Sequence, residues 1–353
     1  MVGLALLARC VGGDDTSTVD GGQDSSIPDN NVADVAPPQD AGSDSGGNCT
    51  SAPTTDFYVD PVGGSDSSSG AGTTCALKTI TAALTKSSTN FNATLHLGAG
   101  TYGPGETFPL VVDKGRSLVG AGASTTKIQG SSAAFNTKNT ASFLDGLGPD
   151  GGVSTNYFVT VIAGDNIGGS NNVGATTISG VTILPASNIA MPTAGYIGLA
   201  CLAGNGPATG TVPPLPAANL VLKAVTIGPN YDTAFAVGSE PTNQTACNAS
   251  AVQSTFTGSN SGVLTGACGT TNPTTSWPSS QIGDGQVNDA NTFSADGIGI
   301  FSAGCGSVQS YHANKFVSGY RGIVMISNPG QYFEVLANTF DGSTAPFMGV
   351  GIH

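Results

Sequence analysis

The sequence predicts an all-β protein, a right-handed parallel β-helix with coils of about 23 residues and a short N-terminal capping helix. Three observations support this prediction: small, uncharged residues dominate the composition, a four-residue motif recurs at a nearly constant spacing, and a helical pattern lies between strand patterns at the start of the folded part of the chain. The predicted organisation is a signal remnant (1–10), a linker (11–53), a capping module with the first coils (54–130) and a β-helix with long inserted loops (131–353). We expect the last coil to be either cut short or covered by a partner.

Composition favours short strands and tight turns over amphipathic helices. Charged residues make up only 9% of the chain, and glycine occurs 52 times in 353 residues. An ordinary soluble protein has about a quarter of its residues charged, and amphipathic helices depend on such residues. The formal net charge is −13 and the sequence contains no basic patch, which argues against nucleic acid as a partner.

The repeated motif Ala-Asn-x-Phe sets the period of the predicted fold. It occupies residues 290–293, 313–316 and 337–340, so successive asparagines are 23 and 24 residues apart. Coils of a parallel β-helix lie about 4.8 Å apart, and residues one period apart should therefore stack in columns. The predicted columns are an amide ladder of Asn291, Asn314 and Asn338 inside a turn, and a core stack of Phe293, Phe316 and Phe340.

A capping module is predicted at the start of the folded part. Residues 56–60 have a strand pattern, and Ile80, Ala83 and Leu84 fall on one face of a short helix at i, i+3 and i+4. The first coil of a β-helix has an open end whose unpaired strand edges promote aggregation. The apolar helix face is therefore predicted to plug that end.

Four ordered blocks of this module carry a family resemblance. They read F-Y-V-D-P-V-G-G-S-D, G-T-T-C-A-L-K-T-I-T-A-A-L, L-G-A-G-T-Y and G-E-T-F-P-L, between Phe57 and Gly130. The run resembles the bacterial "domain of unknown function 1565" module, which heads β-helices of the pectin-lyase-like superfamily. The resemblance implies an exported β-helix protein, and analogy with the superfamily's fold implies an interaction with carbohydrate.

The first 53 residues are predicted to be an export and tether segment. Residues 1–10 end in L-A-R-C and resemble the end of a lipoprotein signal with Cys10 as the lipidated residue, although Arg9 departs from the small residue preferred there. Residues 11–53 are acidic and rich in Gly, Ser and Pro, which predicts a disordered spacer. No stretch reaches the roughly 18 apolar residues of a membrane span. We expect a cell-surface or outer-membrane lipoprotein, or a secreted protein, with membrane contact only through lipid.

The cysteines leave two interpretations open. None of the seven forms a CxxC pair, which argues against a zinc or thioredoxin site. Without Cys10 six remain, compatible with up to three disulfides in an oxidising compartment or with buried free thiols. The pairing does not follow from the sequence.

The register of the repeats predicts one catalytic patch. Asp289 and His312 each precede the Asn of their coil by two residues and should be neighbours; Asp296 and Arg321 follow theirs by five and seven, within diagonal reach. Lys315 lies close in register. The superfamily resemblance implies a lyase in which an Arg or Lys base works beside carboxylates that hold Ca²⁺. The alternative is a set of weak surface pairs worth about 0–1 kcal/mol each.

Ligand-binding candidates complete the set. Asp284 and Asp289 are candidate ligands of Ca²⁺, the one cofactor that the resemblance suggests, although fewer than six oxygens are visible. Trp277, Tyr311 and Tyr320 are candidate carbohydrate-binding aromatic residues. Trp277 could equally pin its own loop.

Three functions remain open from the sequence. The first is an exported, surface-tethered β-helix protein that binds or processes carbohydrate. The second is a Ca²⁺-dependent polysaccharide lyase, favoured over a hydrolase because the folded part has no clustered Asp pair. The third is a non-catalytic structural or adhesion protein. A lyase needs carboxylates and a base in one groove, whereas a binding module needs exposed aromatic side chains.

Overall fold

Three parallel β-sheets form the faces of a right-handed β-helix, as the sequence predicted. The computed structural model describes residues 49, 51, 53, 55–131, 158–164, 174–201, 218–239, 247–268, 280–284, 286, 289–294, 296–302, 308–326, 332–343 and 350–352. All of them belong to the unit Gly42–His353. The predictions for residues 1–48, including lipidation of Cys10, lie outside the described residues.

The strands are numbered in chain order and fall into sheets A, B and C. Sheet A contains β1 Asp56–Val59, β2 Thr94–Leu97, β5 Ser117–Gly120, β8 Thr176–Ser179, β11 Ala218–Lys223, β14 Cys247–Val252, β17 Ser280–Ile282, β20 Val308–His312 and β23 Tyr332–Leu336. Sheet B contains β3 Gly100–Tyr102, β6 Thr126–Gln129, β9 Thr182–Leu184, β12 Thr226–Ile227, β15 Thr255–Thr257, β18 Thr292–Ser294, β21 Lys315–Phe316 and β24 Thr339–Phe340. Sheet C contains β4 Leu110–Val112, β7 Phe158–Ala163, β10 Thr193–Cys201, β13 Tyr231–Ser239, β16 Ser261–Cys268, β19 Asp296–Ser302, β22 Gly319–Met325 and β25 Val350–Ile352.

Each coil gives one strand to each sheet in the order A, B, C. The described strands make eight such coils, the first from β2 to β4 and the eighth from β23 to β25, with β1 paired to β2 ahead of them. Coils four to seven begin at β11, β14, β17 and β20. A residue's position within its coil therefore decides which of the three faces carries it.

A short helix closes the N-terminal end. After a 3₁₀ turn at Thr73–Cys75, α1 spans Ile80–Lys86 and buries the predicted face of Ile80, Ala83 and Leu84 in the core. The Thr79 hydroxyl caps the first turn by accepting a hydrogen bond from the Ala82 amide. The apolar pattern in the sequence therefore identified the buried side of the helix.

Side chains from the first coils hold both ends of α1. The Glu106 carboxylate accepts hydrogen bonds from the backbone N–H groups of Ile80 and Thr81, each at 2.8 Å. At the other end, Nη1 of the buried Arg116 donates to the Leu84 carbonyl at 2.6 Å, and Nη2 pairs with the Asp113 carboxylate. Helix-end groups that have no partner within the helix are satisfied in this way.

The predicted ladder and stack are both present. Asn291 Nδ2 donates to Asn314 Oδ1 at 3.0 Å, and Asn314 Nδ2 donates to Asn338 Oδ1 at 2.9 Å. The predicted phenylalanines stack at centroid distances of 4.7 and 4.9 Å, and Phe256 extends the column by one coil at 5.0 Å. These columns keep successive coils in register.

Glycines of sheet C make room for the aromatic stack. A Cβ on Gly262 would lie 2.9 Å from Cδ1 of Phe293, and one on Gly299 would lie 2.5 Å from Cε1 of Phe316. Both distances are too short for a real side-chain carbon, so each phenylalanine packs directly against backbone. The stack in sheet B and the glycines in sheet C thus depend on each other.

Two disulfides join distant parts of the chain. Cys49 pairs with Cys75 and Cys201 pairs with Cys247, with Cα–Cα distances of 5.4 and 5.9 Å. The disulfide interpretation of the cysteines is therefore confirmed for these two pairs. In the part of the chain that the structure describes, no helix has the length and apolar character needed to span a membrane.

Candidate functional site

The candidate catalytic residues are spread over the three faces of the β-helix. His312 ends β20 in sheet A, Lys315 begins β21 in sheet B, and Asp296 and Arg321 lie in β19 and β22 of sheet C. Asp289 lies in the turn between β17 and β18. The chain passes from one sheet to the next between these positions, so residues that are close in sequence lie on different faces of the β-helix. Among the described residues they do not form one groove with carboxylates and a base.

The predicted contact between Asp289 and His312 is wrong. In the register of β17 and β20, Gly283 lies beside His312. Asp289 follows in a longer turn, where its carboxylate accepts a hydrogen bond from Gln253 Nε2 at 2.6 Å. His312 instead approaches Glu334 on the next coil, with Nε2 and Oε2 3.3 Å apart but not aligned as a hydrogen bond.

Asp284 and Asp289 do not fit the predicted Ca²⁺ site. One oxygen of Asp284 accepts a hydrogen bond from the Gln286 amide at 2.8 Å, and Asp289 is bonded to Gln253. Ca²⁺ takes six to eight oxygen ligands, yet the described residues contain no group of three or more His, Cys, Asp or Glu side chains placed to hold a metal. We therefore assign no step to this ion.

Of the two described candidate aromatic residues, Tyr320 is on the surface and Tyr311 is not. Tyr320 is 65% exposed. Tyr311 is completely buried, and its hydroxyl lies 2.6 Å from that of Thr265 inside the β-helix, so the prediction that Tyr311 binds carbohydrate is wrong. Trp277 lies outside the described residues.

Tyr320 belongs to a row of side chains at the start of sheet C. Successive partners across β13, β16, β19 and β22 are Thr233, Ser261, Ile298 and Arg321. The residues that immediately precede these partners are Asp232, Asn260, Gly297 and Tyr320. We call these four residues together with Arg321 the Tyr320 strip. Three coil steps give it a length of about 14 Å.

Hydrogen bonds fix the polar end of the Tyr320 strip. Asn260 Nδ2 donates to Asp232 Oδ1 at 2.9 Å, and the Gly195 amide donates to Asp232 Oδ2 at 3.1 Å. Gly297 has no side chain, and a Cβ there would lie 2.8 Å from the Asn260 carbonyl oxygen, so the row has a gap in its side chains between Asn260 and Tyr320. The strip therefore combines an oriented amide and carboxylate with an aromatic ring that is open on one side.

Arg321 brings an uncompensated positive charge to the Tyr320 strip. Its guanidinium carbon lies 5.6 Å from the centre of the Tyr320 ring, within the range of a cation–π contact. Nε of Arg321 is buried without a hydrogen-bond partner, and the ion pairs of the described residues do not include it. Leaving such a buried donor unsatisfied costs about 1–3 kcal/mol.

Asp296 adjoins the strip but faces the interior, which does not fit its prediction as a residue of a catalytic patch. Only 2% of it is exposed. Oδ1 accepts a hydrogen bond from the Ser259 amide at 2.9 Å, whereas Oδ2 is buried without a partner. Burial raises the pKa of the carboxyl to about 8, against the opposing effect of backbone bonds from Ser259 and Ser294. The group is therefore mostly neutral at pH 7.

Sequence reasoning missed a polar cluster on the outer face of sheet A. His96 Nε2 lies 2.8 Å from Asp56 Oδ1, and the His96 ring stacks on Tyr58 at 4.9 Å. The hydrogen bond from His96 lowers the pKa of Asp56. All three side chains alternate with buried residues in their strands, but only the pairing of β1 with β2 places them together.

Asp232 and Asn260 were also missed, and the spacing explains why. From Asp232 to Asn260 the chain advances 28 residues, and from Asn260 to Gly297 it advances 37, because turns of different length intervene. A search for a constant period does not connect such positions. The sequence offered only one weak indication of the row: Asp232 and Asn260 each come directly before a residue with strand character.

Comparisons with known proteins confirm the N-terminal module. The fold defines a parallel β-helix protein, and residues 62–197 match the sequence model of the family described as "Protein of unknown function (DUF1565)". The chain therefore carries the predicted module at the head of its β-helix. No curated protein matches the chain.

Two solved structures are similar to this chain at low identity. "Pectin methylesterase PemA from Erwinia chrysanthemi" is 11% identical with a TM-score of 0.36, over 81% of this chain and 79% of that one. "Pectin methylesterase from Carrot" is 12% identical with a TM-score of 0.34, over 86% and 90% of the two chains. Similarities of this size support no assignment of activity.

Proposed function

We propose that this chain is an exported β-helix protein that binds carbohydrate through the Tyr320 strip. The observation that carries the proposal is the exposed Tyr320 ring, in line with the oriented polar groups of Asn260 and Asp232 and separated from them by Gly297. A sugar has an apolar ring face that packs on an aromatic side chain. Its hydroxyl groups exchange hydrogen bonds with amides, carboxylates and guanidinium groups. The strip offers both kinds of contact side by side.

Two disulfides support the exported location within this proposal. The Cys49–Cys75 and Cys201–Cys247 pairs are of a kind that persists in oxidising compartments and is rare in the cytosol. We include lipidation at Cys10 and tethering through residues 11–53 as parts of the same proposal.

A polysaccharide lyase has less support from the geometry. Arg321 and Lys315, the two candidate bases, lie on different sheets, and His312 lies on the third. A purely structural or adhesive role agrees with the regular stack of coils. It gives no reason for the unsatisfied Nε of Arg321 beside an exposed aromatic ring.

Binding is tested with the purified chain and a panel of neutral and acidic polysaccharides, by affinity electrophoresis and then calorimetry. Tyr320→Ala should weaken binding about 5- to 30-fold, because an aromatic contact worth about 1–2 kcal/mol is lost. Tyr332→Ala is the matched control: Tyr332 is 57% exposed, but it belongs to β23 of sheet A, and its loss should leave affinity unchanged.

Three other results would change the proposal. Equal weakening by Tyr320→Ala and Tyr332→Ala would remove the strip as the binding surface. No binding to any polysaccharide would favour the structural or adhesive role. A rise in ultraviolet absorbance from unsaturated uronide products would favour the lyase.

A further inference from the structure

Asp296 connects the two ends of the gap in the Tyr320 strip. Its backbone pairs with Gly319, the residue before Tyr320. Its carboxylate oxygen Oδ1 accepts a hydrogen bond from the amide of Ser259, the residue before Asn260. Asp296 in coil six therefore joins coil five through its side chain and coil seven through its backbone, at the level of the strip.

The packing around this carboxyl shields it from solvent. Oδ2 of Asp296 is buried without a partner and lies 3.0 Å from the position that a Cβ on Gly262 would take. A Cβ on Gly319 would lie 2.5 Å from the Asp296 carbonyl oxygen. The two glycines allow the neighbouring strands to close over Asp296. Burial of this kind accounts for the raised pKa of the group, about 8.

Charged groups on the neighbouring strands do not neutralise Asp296. The ionisable residues at this level of the packed strands are Tyr231 and Asp232 in β13 and Tyr320 and Arg321 in β22. One carboxylate oxygen of Asp232 accepts a hydrogen bond from Asn260, and the other accepts one from the Gly195 amide. Arg321 lies diagonally across β22, but no ion pair with Asp296 occurs among the described residues.

We propose that Asp296 is a positioning residue of the Tyr320 strip: its buried neutral carboxyl holds the backbone before Asn260, its own backbone pairs with the residue before Tyr320, and deprotonation of the carboxyl opens this corner of the β-helix. An ionised carboxylate must be hydrated or paired, whereas the closed corner shields Oδ2 from solvent and no cation among the described residues pairs with it. Opening of the backbone is therefore the route to solvation. Control of carbohydrate binding by this opening rests on the proposed function, whereas the opening itself does not.

The direction in which pH changes the local opening equilibrium follows from the linkage between opening and proton binding by Asp296. Between its ordinary value of 3.8 and about 8, the carboxyl is protonated in the closed corner and ionised in the open one. The local opening equilibrium should therefore rise about tenfold per pH unit over this interval. Above about pH 8 both states are ionised, and the equilibrium should stop responding to this group.

Hydrogen exchange with mass spectrometry on the whole chain tests the proposal between pH 5 and 9, after correction for the intrinsic exchange rate. In the wild type, protection of β16, β19 and β22 should fall about tenfold per pH unit up to pH 8 and then level off. Protection of β2 and β5, in the first coils at the N-terminal end of the β-helix, should not change with pH in this way. Asp296→Asn, a neutral substitution of the same shape, should abolish the dependence. Asp232→Asn, which alters a bonded carboxylate of the same strip, should retain it.

A flat profile in wild-type β19 and β22, or the same slope in Asp296→Asn as in the wild type, would overturn the proposal. The wild-type profile alone decides the matter if Asp296→Asn does not fold. A pH-dependent opening without carbohydrate binding would leave the role of Asp296 intact and refute only the proposed function.

Discussion

Replacing Asn314 by Ala tests how much the amide ladder contributes to stability. Asn314 is completely buried; its Nδ2 donates to the Ile282 carbonyl at 2.8 Å and to Asn338 Oδ1 at 2.9 Å. Its Oδ1 accepts a hydrogen bond from Asn291 Nδ2 at 3.0 Å. The substitution removes all three bonds and leaves the Ile282 carbonyl and the Asn291 amide without these partners in the interior.

The expected loss is about 3–5 kcal/mol in the free energy of unfolding. Three hydrogen bonds at about 1 kcal/mol each give about 3 kcal/mol, and the buried groups left unsatisfied add up to about 2 kcal/mol. Asn338→Ala is the matched control, because Asn338 also makes ladder bonds but is only half-buried in the last described coil. Water can enter the half-buried space that the Asn338 side chain leaves, so the loss should be about 1–2 kcal/mol.

Urea unfolding followed by circular dichroism measures both variants against the wild type. The midpoint should shift more for Asn314→Ala than for Asn338→Ala, with an unchanged dependence on denaturant. A loss below about 1 kcal/mol for Asn314→Ala, within the effect of one exposed hydrogen bond, would refute the reasoning. Equal losses in the two variants would refute the argument from burial.

Two further substitutions address the capping helix and the aromatic stack. Arg116→Ala should lower the free energy of unfolding by about 3–5 kcal/mol, since it leaves the buried carboxylate of Asp113 without its cation; Arg116→Ala with Asp113→Asn should recover part of this loss in the same urea assay. Gly299→Val should lower the thermal midpoint through about 1–3 kcal/mol of overpacking against Phe316. Gly342→Ala, with nothing within 4 Å of the added carbon, should leave that midpoint unchanged.

The columns were predictable from sequence because each depends on one spacing alone. A residue that recurs every 23 or 24 positions must stack on itself in a β-helix, whatever the loops do elsewhere. Asn314 and Phe316 therefore have the neighbours that the repeat predicted. The apolar face of α1 was readable for a similar reason, since a helix of seven residues has only one such face.

One regularity of the turns was not readable from the sequence. The turn from sheet A to sheet B contains a non-glycine residue with a left-handed backbone in several coils. These residues are Ala224 (φ 53°), Gln253 (φ 53°), Ala313 (φ 53°) and Ala337 (φ 54°). Such a conformation is unfavourable for an L-residue in isolation, so local propensity predicts against it. The stacking of one coil on the next imposes it.

The prediction of the candidate site was wrong where the chain turns from one sheet to the next. Tyr311 and His312 are adjacent in sequence, yet the alternation within β20 buries the first and leaves the second half-exposed. Lys315 follows three residues later and already belongs to another sheet. Register along the chain therefore placed the Asn and Phe columns correctly, but it did not place Asp289 beside His312 and did not say on which face of the coil each residue lies. The Tyr320 strip became visible only when the pairing across turns of unequal length was known.

The attachment of α1 has a consequence for the order of folding. Both groups that complete the ends of this helix, Glu106 and Arg116, are synthesised after it, at sequence separations of 25 to 32 residues. A seven-residue helix is too short to persist alone in water. The helix must therefore form together with the first coil that emerges behind it. Each later coil can then add to a finished surface as it is synthesised.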